Sequence, residues 1–131
     1  MKIFFHEKET GTEIKRMSHL EKLMAKASKQ GKHKNILSII FLMADNRNKL
    51  GVVVGGDETV LHFSYDHENP PYYVSKGEQD IDEPIMTCFL LFDHHTEFPR
   101  KYVIPFDKGL MAIHEFYESG TLPTFIDWVE V

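Results

Sequence analysis

Cysteine is almost absent from this 131-residue chain. A single residue, Cys88, excludes an internal disulfide and any zinc site built from several thiolates. It lies in the apolar run Ile85-Met86-Thr87-Cys88-Phe89-Leu90-Leu91-Phe92, where a buried, inert thiol is expected. Long hydrophobic runs are missing too. No stretch approaches the roughly 20 apolar residues that span a bilayer, so no membrane partner is expected. The opening Met1-Lys2-Ile3-Phe4-Phe5-His6-Glu7 turns to charge too early for a secretory signal, which points to a cytoplasmic protein. Proline-rich linkers, low-complexity tracts and internal repeats are also lacking, so residues 1–131 read as one domain.

The familiar catalytic signatures are missing as well. There is no His-Glu-x-x-His of a helical zinc peptidase and no phosphate-cradling glycine loop ending in Lys-Ser/Thr. A nucleophile elbow, Gly-x-Ser-x-Gly, is absent. One cysteine cannot supply the Pro-Cys-x-x-Cys of a zinc deaminase. Eight histidines invite a metal or acid–base site, and His94-His95, between Asp93 and Glu97, is the best candidate. Adjacent side chains on an extended segment point to opposite faces, so both would not ligate one ion without a sharp bend. His62 and His67 straddle a strand end and a loop and are no more specific. No catalytic residue, metal or cofactor is expected.

What is present is a globular composition, 42% hydrophobic and 12% aromatic. Residues 2–6 read as a short opening strand. From Gly11 or Thr12 to about Gln30, Met17, Leu20, Leu23, Met24 and Ala27 recur at helical spacing, with Gly31 as the stop. Lys15, Lys22, Lys26 and Lys29 gather on another side, as a solvated face. Residues 36–44 are apolar on both strand faces, which suits a central strand. Asp45-Asn46-Arg47-Asn48 supplies a turn, Gly51-Val52-Val53-Val54 returns, and Gly55-Gly56-Asp57 turns again into a strand over 59–65. Gly51, Gly55 and Gly56 all read as turn glycines. Residues 72–74 and 85–92 are further strands. Asp107 reads as the N-cap of a helix to about Glu118, ended by Gly120 and Pro123, before a closing strand at 125–130. The expected fold is α+β: an antiparallel meander with an N-terminal helix and a C-terminal helix, before the last strand, packed on one face.

Net charge is −5, unevenly spread. Basic residues outnumber acidic ones between Glu7 and Lys34. From Asp57 to Glu97, the carboxylates Asp57, Glu58, Asp66, Glu68, Glu78, Asp80, Asp82, Glu83, Asp93 and Glu97 face only Lys76. Such an imbalance is a solvated loop surface or a surface complementary to a cationic partner.

Two blocks carry a resemblance. Leu50-Gly51-Val52-Val53-Val54-Gly55-Gly56-Asp57-Glu58-Thr59-Val60-Leu61-His62-Phe63 is followed, some sixty residues on, by Phe116-Tyr117-Glu118-Ser119-Gly120-Thr121-Leu122-Pro123 and Ile126-Asp127-Trp128-Val129-Glu130. In that order, over about residues 50–131, they resemble the deaminase-toxin immunity family of bacterial polymorphic toxin systems, immunity protein family one. The resemblance implies a small cytoplasmic antitoxin that binds the C-terminal domain of a cognate toxin and performs no reaction. Deaminase- and nuclease-type toxins are both open, as is blockade of the active site or of the substrate groove. Nucleic acid is then the toxin's substrate and not this chain's partner, and the free chain is expected to be a monomer or a weak dimer. Acidic loops beside an aromatic cluster and the stiff Pro70-Pro71 nominate Asp66, Glu68, Tyr72, Tyr73, Glu78, Asp80, Asp82 and Glu83 as the toxin-binding residues. Trp128 is expected at the core or its edge. The rival reading is a small enzyme or ligand-binding α+β domain that uses His62, His67, His94 and His95 with nearby carboxylates.

Overall fold

The computed structural model describes residues 1–5, 10–90 and 94–131. In chain order the elements are β1 (Lys2–Phe4), β2 (Thr12–Glu13), α1 (Met17–Lys34), β3 (Leu37–Met43), β4 (Lys49–Val54), β5 (Glu58–Thr59) and β6 (Leu61–Ser64). They continue with β7 (Tyr73–Ser75), β8 (Pro84–Leu90), β9 (His94–Pro99), a 3₁₀ turn (Arg100–Tyr102), β10 (Ile104–Pro105), α2 (Phe106–Ser119) and β11 (Trp128–Glu130). The main sheet runs β11-β7-β6-β4-β3-β1-β2, with β8 and β9 attached through β3. β3, β4, β6 and β7 form the expected antiparallel meander, and β11 returns to pair with β7.

Alternation along the central strands sorts their residues onto two faces. Ile40 and Leu42 of β3, Leu50, Val52 and Val54 of β4, and Leu61 and Phe63 of β6 face the helices and are buried. Helix α1 lays Leu20 and Met24 on this face, with Met17, Leu23 and Ala27 at the margin, as the helical spacing anticipates. Helix α2 adds Ala112, Ile113 and Phe116. Phe63 meets Phe116 edge to face, with centroids 6.2 Å apart. Burying each such ring is worth roughly 2–3 kcal/mol. The fold is α+β, with both helices on one face of the sheet.

Several boundaries differ from the sequence reading for local reasons. Helix α1 starts at Met17, so Lys15 lies before it, and it runs through Gly31 to Lys34. Asn35 ends it in the left-handed conformation at φ 55°, which asparagine tolerates. Lys32, His33 and Lys34 stand in the last turn, where they complement the helix dipole. Asp107 is not the N-cap of α2. Pro105 occupies that place with φ −58°, and the Phe106 amide donates to the Asp57 carbonyl, leaving Asp107 in the first turn. Gly120 does end α2, at φ 68°. The strand expected over 59–65 is divided: β5 leaves the meander to pair with β10. The opening strand ends at Phe4, and the part of that reading at His6 lies outside the described residues, as do Leu91 and Phe92 of the strand expected to 92.

The second face of the sheet is partly covered by strands. β8 pairs parallel with the start of β3, Leu37 opposite Cys88, on the edge that β1 uses further along. It then forms an antiparallel hairpin with β9. Val53, Val60, Val74, Met86, Cys88 and Val103 make a second core beneath this hairpin. Cys88 is fully buried, and burial pushes its thiol up to about 12.

Candidate functional site

The eight nominated residues fall into two groups at opposite ends of β7. The first is the β6–β7 connection. Asn48, buried behind it, accepts from the Asp66 amide at 3.1 Å and donates to the Gly120 carbonyl at 2.8 Å, which ties this loop to the end of α2. Glu68 adopts φ 58°, and its carbonyl accepts from the Tyr72 hydroxyl at 2.7 Å. Its carboxylate holds Lys49, and that ammonium keeps the Glu68 carboxyl below its usual range. Pro70-Pro71 is cis.

Tyr72 and Tyr73, adjacent in sequence, are separated by the sheet. Tyr73 stands opposite Phe63 on the helix-facing side and packs with Phe63 and Tyr65 at centroid distances of 6.5 and 6.4 Å. Tyr72 is stacked on His62 at 6.2 Å, on the other side. His62 is half-buried, and loss of solvent lowers its pKa.

The second group is the β7–β8 connection, which is laced onto the 3₁₀ turn. Lys101 donates its amide to the Ile81 carbonyl at 3.0 Å, and Arg100 donates to that of Glu83 at 3.3 Å. Asp82 holds the Lys101 ammonium at 2.6 Å and raises its pKa. Glu78 holds Lys108 at 3.1 Å. Asp80 and Glu83 are exposed.

These pairs change the meaning of the charge imbalance. The acidic block has one lysine within it in sequence, yet among the described residues folding brings in five cations from elsewhere. Lys32 meets Asp57, Lys49 meets Glu68, Arg100 meets Glu58, Lys101 meets Asp82 and Lys108 meets Glu78. Apart from the part-buried Arg100–Glu58 pair, these are surface pairs, each of little value to stability. They leave Asp66, Asp80, Glu83 and Glu97 as exposed carboxylates.

A feature missed in the sequence lies between the hairpin and the second face. A recess of about 310 Å³ has Phe41, Gly51 and His62 as one cross-strand row of its floor, with Ile39 and Val53 beside them. Thr96 and Phe98 of β9 form its wall. Gly51 is therefore not a turn glycine. It sits inside β4, paired on both sides, and its missing side chain opens the floor. A glycine within a strand marks close approach by another group, and that signal was available in the sequence.

His114 and His67, like His62, have ordinary surroundings. His114 Nε2 lies 2.7 Å from Glu21 Oε1, joining α2 to α1. His67 stacks on Tyr65 at 5.7 Å. Among the described residues no three His, Cys, Asp or Glu side chains are placed to hold a metal ion. Asp93 and the His94 side chain, half of the best histidine candidate, lie outside the described residues. Among the described residues no helix is long and apolar enough to cross a membrane.

The family described as Immunity protein Imm1 matches residues 10–130. This chain belongs to the Imm1 family. No curated protein matches it. The Imm1 match takes in α1 and β3 as well as the blocks from Leu50 onward, so it is wider than the sequence resemblance. Two of the residues that carried that resemblance have structural roles in this chain. Gly55, at φ 116°, lets the β4–β5 turn lie against the Ile36 carbonyl. Trp128 is half-buried at the edge of the main core, and its indole donates to the Pro123 carbonyl at 2.7 Å.

Proposed function

We propose that this protein is the antitoxin of a toxin–immunity pair, which binds its cognate toxin domain and silences it by covering the active site or substrate groove. The observation that carries the reading is the Imm1 match over nearly the whole described chain. The toxin we infer acts on nucleic acid, as a deaminase or a nuclease, because a domain that binds a polyanion presents a basic surface. Asp66, Asp80, Glu83 and Glu97 stay exposed after the internal ion pairs are made, on a chain of net charge −5. Such carboxylates speed encounter with a basic surface and compete with phosphate for it. Tyr72, in the same connection as Asp66, supplies an aromatic contact, while Tyr73 acts from behind by packing on Phe63.

Among the described residues, His62 and His67 of the rival enzyme reading lend it no support. His62 meets an aromatic ring, His67 a second ring, and His114 a single carboxylate across two helices. Co-expression tests the antitoxin reading. Cells that make the toxin domain encoded beside this gene should grow only when this chain is present, and the two proteins should purify together. Growth that needs no complex would count against it.

A further inference from the structure

Both helices pack on one side of the sheet, whereas the β8–β9 hairpin covers the second face only in part. Two unused features meet there. Among the described residues β9 pairs with β8 alone, so its other edge offers backbone donors and acceptors to an added strand. Beside it opens the recess floored by Phe41, Gly51 and His62 and walled by Thr96 and Phe98.

The two features share one geometry. Residues of a strand laid along β9 alternate between faces, and those in line with Thr96 and Phe98 point into the recess. A Cβ on Gly51 would lie 3.4 Å from Phe41 and 3.7 Å from the His62 Cβ, so the space is real but shallow at that point. The lining is apolar apart from the Thr96 hydroxyl and a His62 ring whose charged form is disfavoured by burial. An apolar side chain suits it and a charged one does not.

Charge at the rim selects the flanks. Glu97 is exposed on β9 between Thr96 and Phe98. Across the opening, Tyr72 links the His62 ring to Glu68. The nearby cation Lys49 is already held by Glu68. That leaves Glu97 to favour a basic residue next to the apolar anchor of an incoming segment, on the side away from the recess.

We propose that an extended segment of the toxin adds to the free edge of β9, seats one bulky apolar side chain in the recess, and sets a basic neighbour against Glu97. This rests on the antitoxin reading and specifies where the partner binds.

Hydrogen exchange of this chain, alone and with the toxin domain encoded beside it, tests the docking together with two variants. Gly51→Val places methyl groups in the recess and suits a strand. Glu97→Lys reverses an exposed rim charge. The expected result is protection of β9 amides only in the complex. Gly51→Val should keep the native melting temperature and weaken binding about tenfold or more, and Glu97→Lys should slow association. A complex of native affinity formed by Gly51→Val, with β9 exchange unchanged, would remove this docking and leave the antitoxin reading standing. Failure of the native chain to form any complex would instead remove the antitoxin reading itself. Protection of β9 that grows with the concentration of this chain alone would assign the edge to a second copy and overturn the proposal. If Gly51→Val does not fold, the exchange map and Glu97→Lys decide: unprotected β9 amides with an unaltered association rate overturn it.

Discussion

Gly31, in the last turn of α1, lies so close to Gly55 that a Cβ on Gly31 would come within 2.8 Å of the Gly55 Cα and 2.6 Å of the Ile36 carbonyl oxygen. The helix and the β4–β5 turn thus meet backbone to backbone. Gly55 also has φ 116°, a conformation that a side chain strains. Gly31→Ala and Gly55→Ala should each destabilise the protein by about 2–4 kcal/mol, read as a lower urea midpoint with an unchanged slope. Native midpoints would show that the contact relaxes freely.

Trp128 closes the sheet at its β11 edge with one hydrogen bond and a half-buried ring. Trp128→Ala should cost about 2–4 kcal/mol, less than a fully buried ring would. Trp128→Phe should recover part of that loss but not the bond to Pro123. A Trp128→Ala chain with a native melting temperature that no longer binds toxin would make Trp128 a contact residue instead.

The helical stripe of α1, the two-faced strand β3 and the left-handed Gly120 were legible in the sequence, because each depends on neighbours within a few residues. Other features depend on distant ones. Asp107 loses the N-cap to Pro105, which is placed by the bond between Phe106 and Asp57, two segments some fifty positions apart. The parallel contact of Leu37 with Cys88 is equally non-local. Charge order along the chain did not reveal that Lys32, Lys49, Arg100, Lys101 and Lys108 would reach the acidic block. The recess needs β3, β4, β6 and β9 together, and Gly51 was its one local trace.

His62 predicts a pH dependence of stability. Its folded pKa lies below the unfolded value of about 6.5 because burial disfavours the imidazolium. The unfolded chain therefore binds the proton first as pH falls. This contribution to stability is complete above about pH 6.5 and is lost below it, toward the lowered folded pKa. His62→Gln should flatten the decline in melting temperature in that window. An unchanged profile would show that His62 is solvated.

Cys88 should behave as an inert core residue. With its thiol raised to about 12, almost no thiolate exists at neutral pH, and the side chain is fully buried. Alkylation by iodoacetamide should proceed only in denaturant. Rapid labelling of the native protein would contradict the placement of Cys88 beneath the β8–β9 hairpin.

The β7–β8 connection offers a charge test. Neutralising Asp80, Asp82 and Glu83 together removes three carboxylates and frees Lys101 from its 2.6 Å partner. Association with the toxin should slow at low salt and lose part of its salt dependence, with little change in stability because these groups are exposed. Association rates equal to the native ones at low salt would take this loop out of the interface.

The central claim is that the protein works by occupying its toxin. Titrating the folded chain into the purified toxin domain encoded beside it, while following the toxin's activity on nucleic acid, tests that claim most directly. Activity should fall to zero at one equivalent, with a nanomolar or smaller Kd, about −12 kcal/mol or more favourable. Full toxin activity in the presence of an excess of folded protein would contradict it.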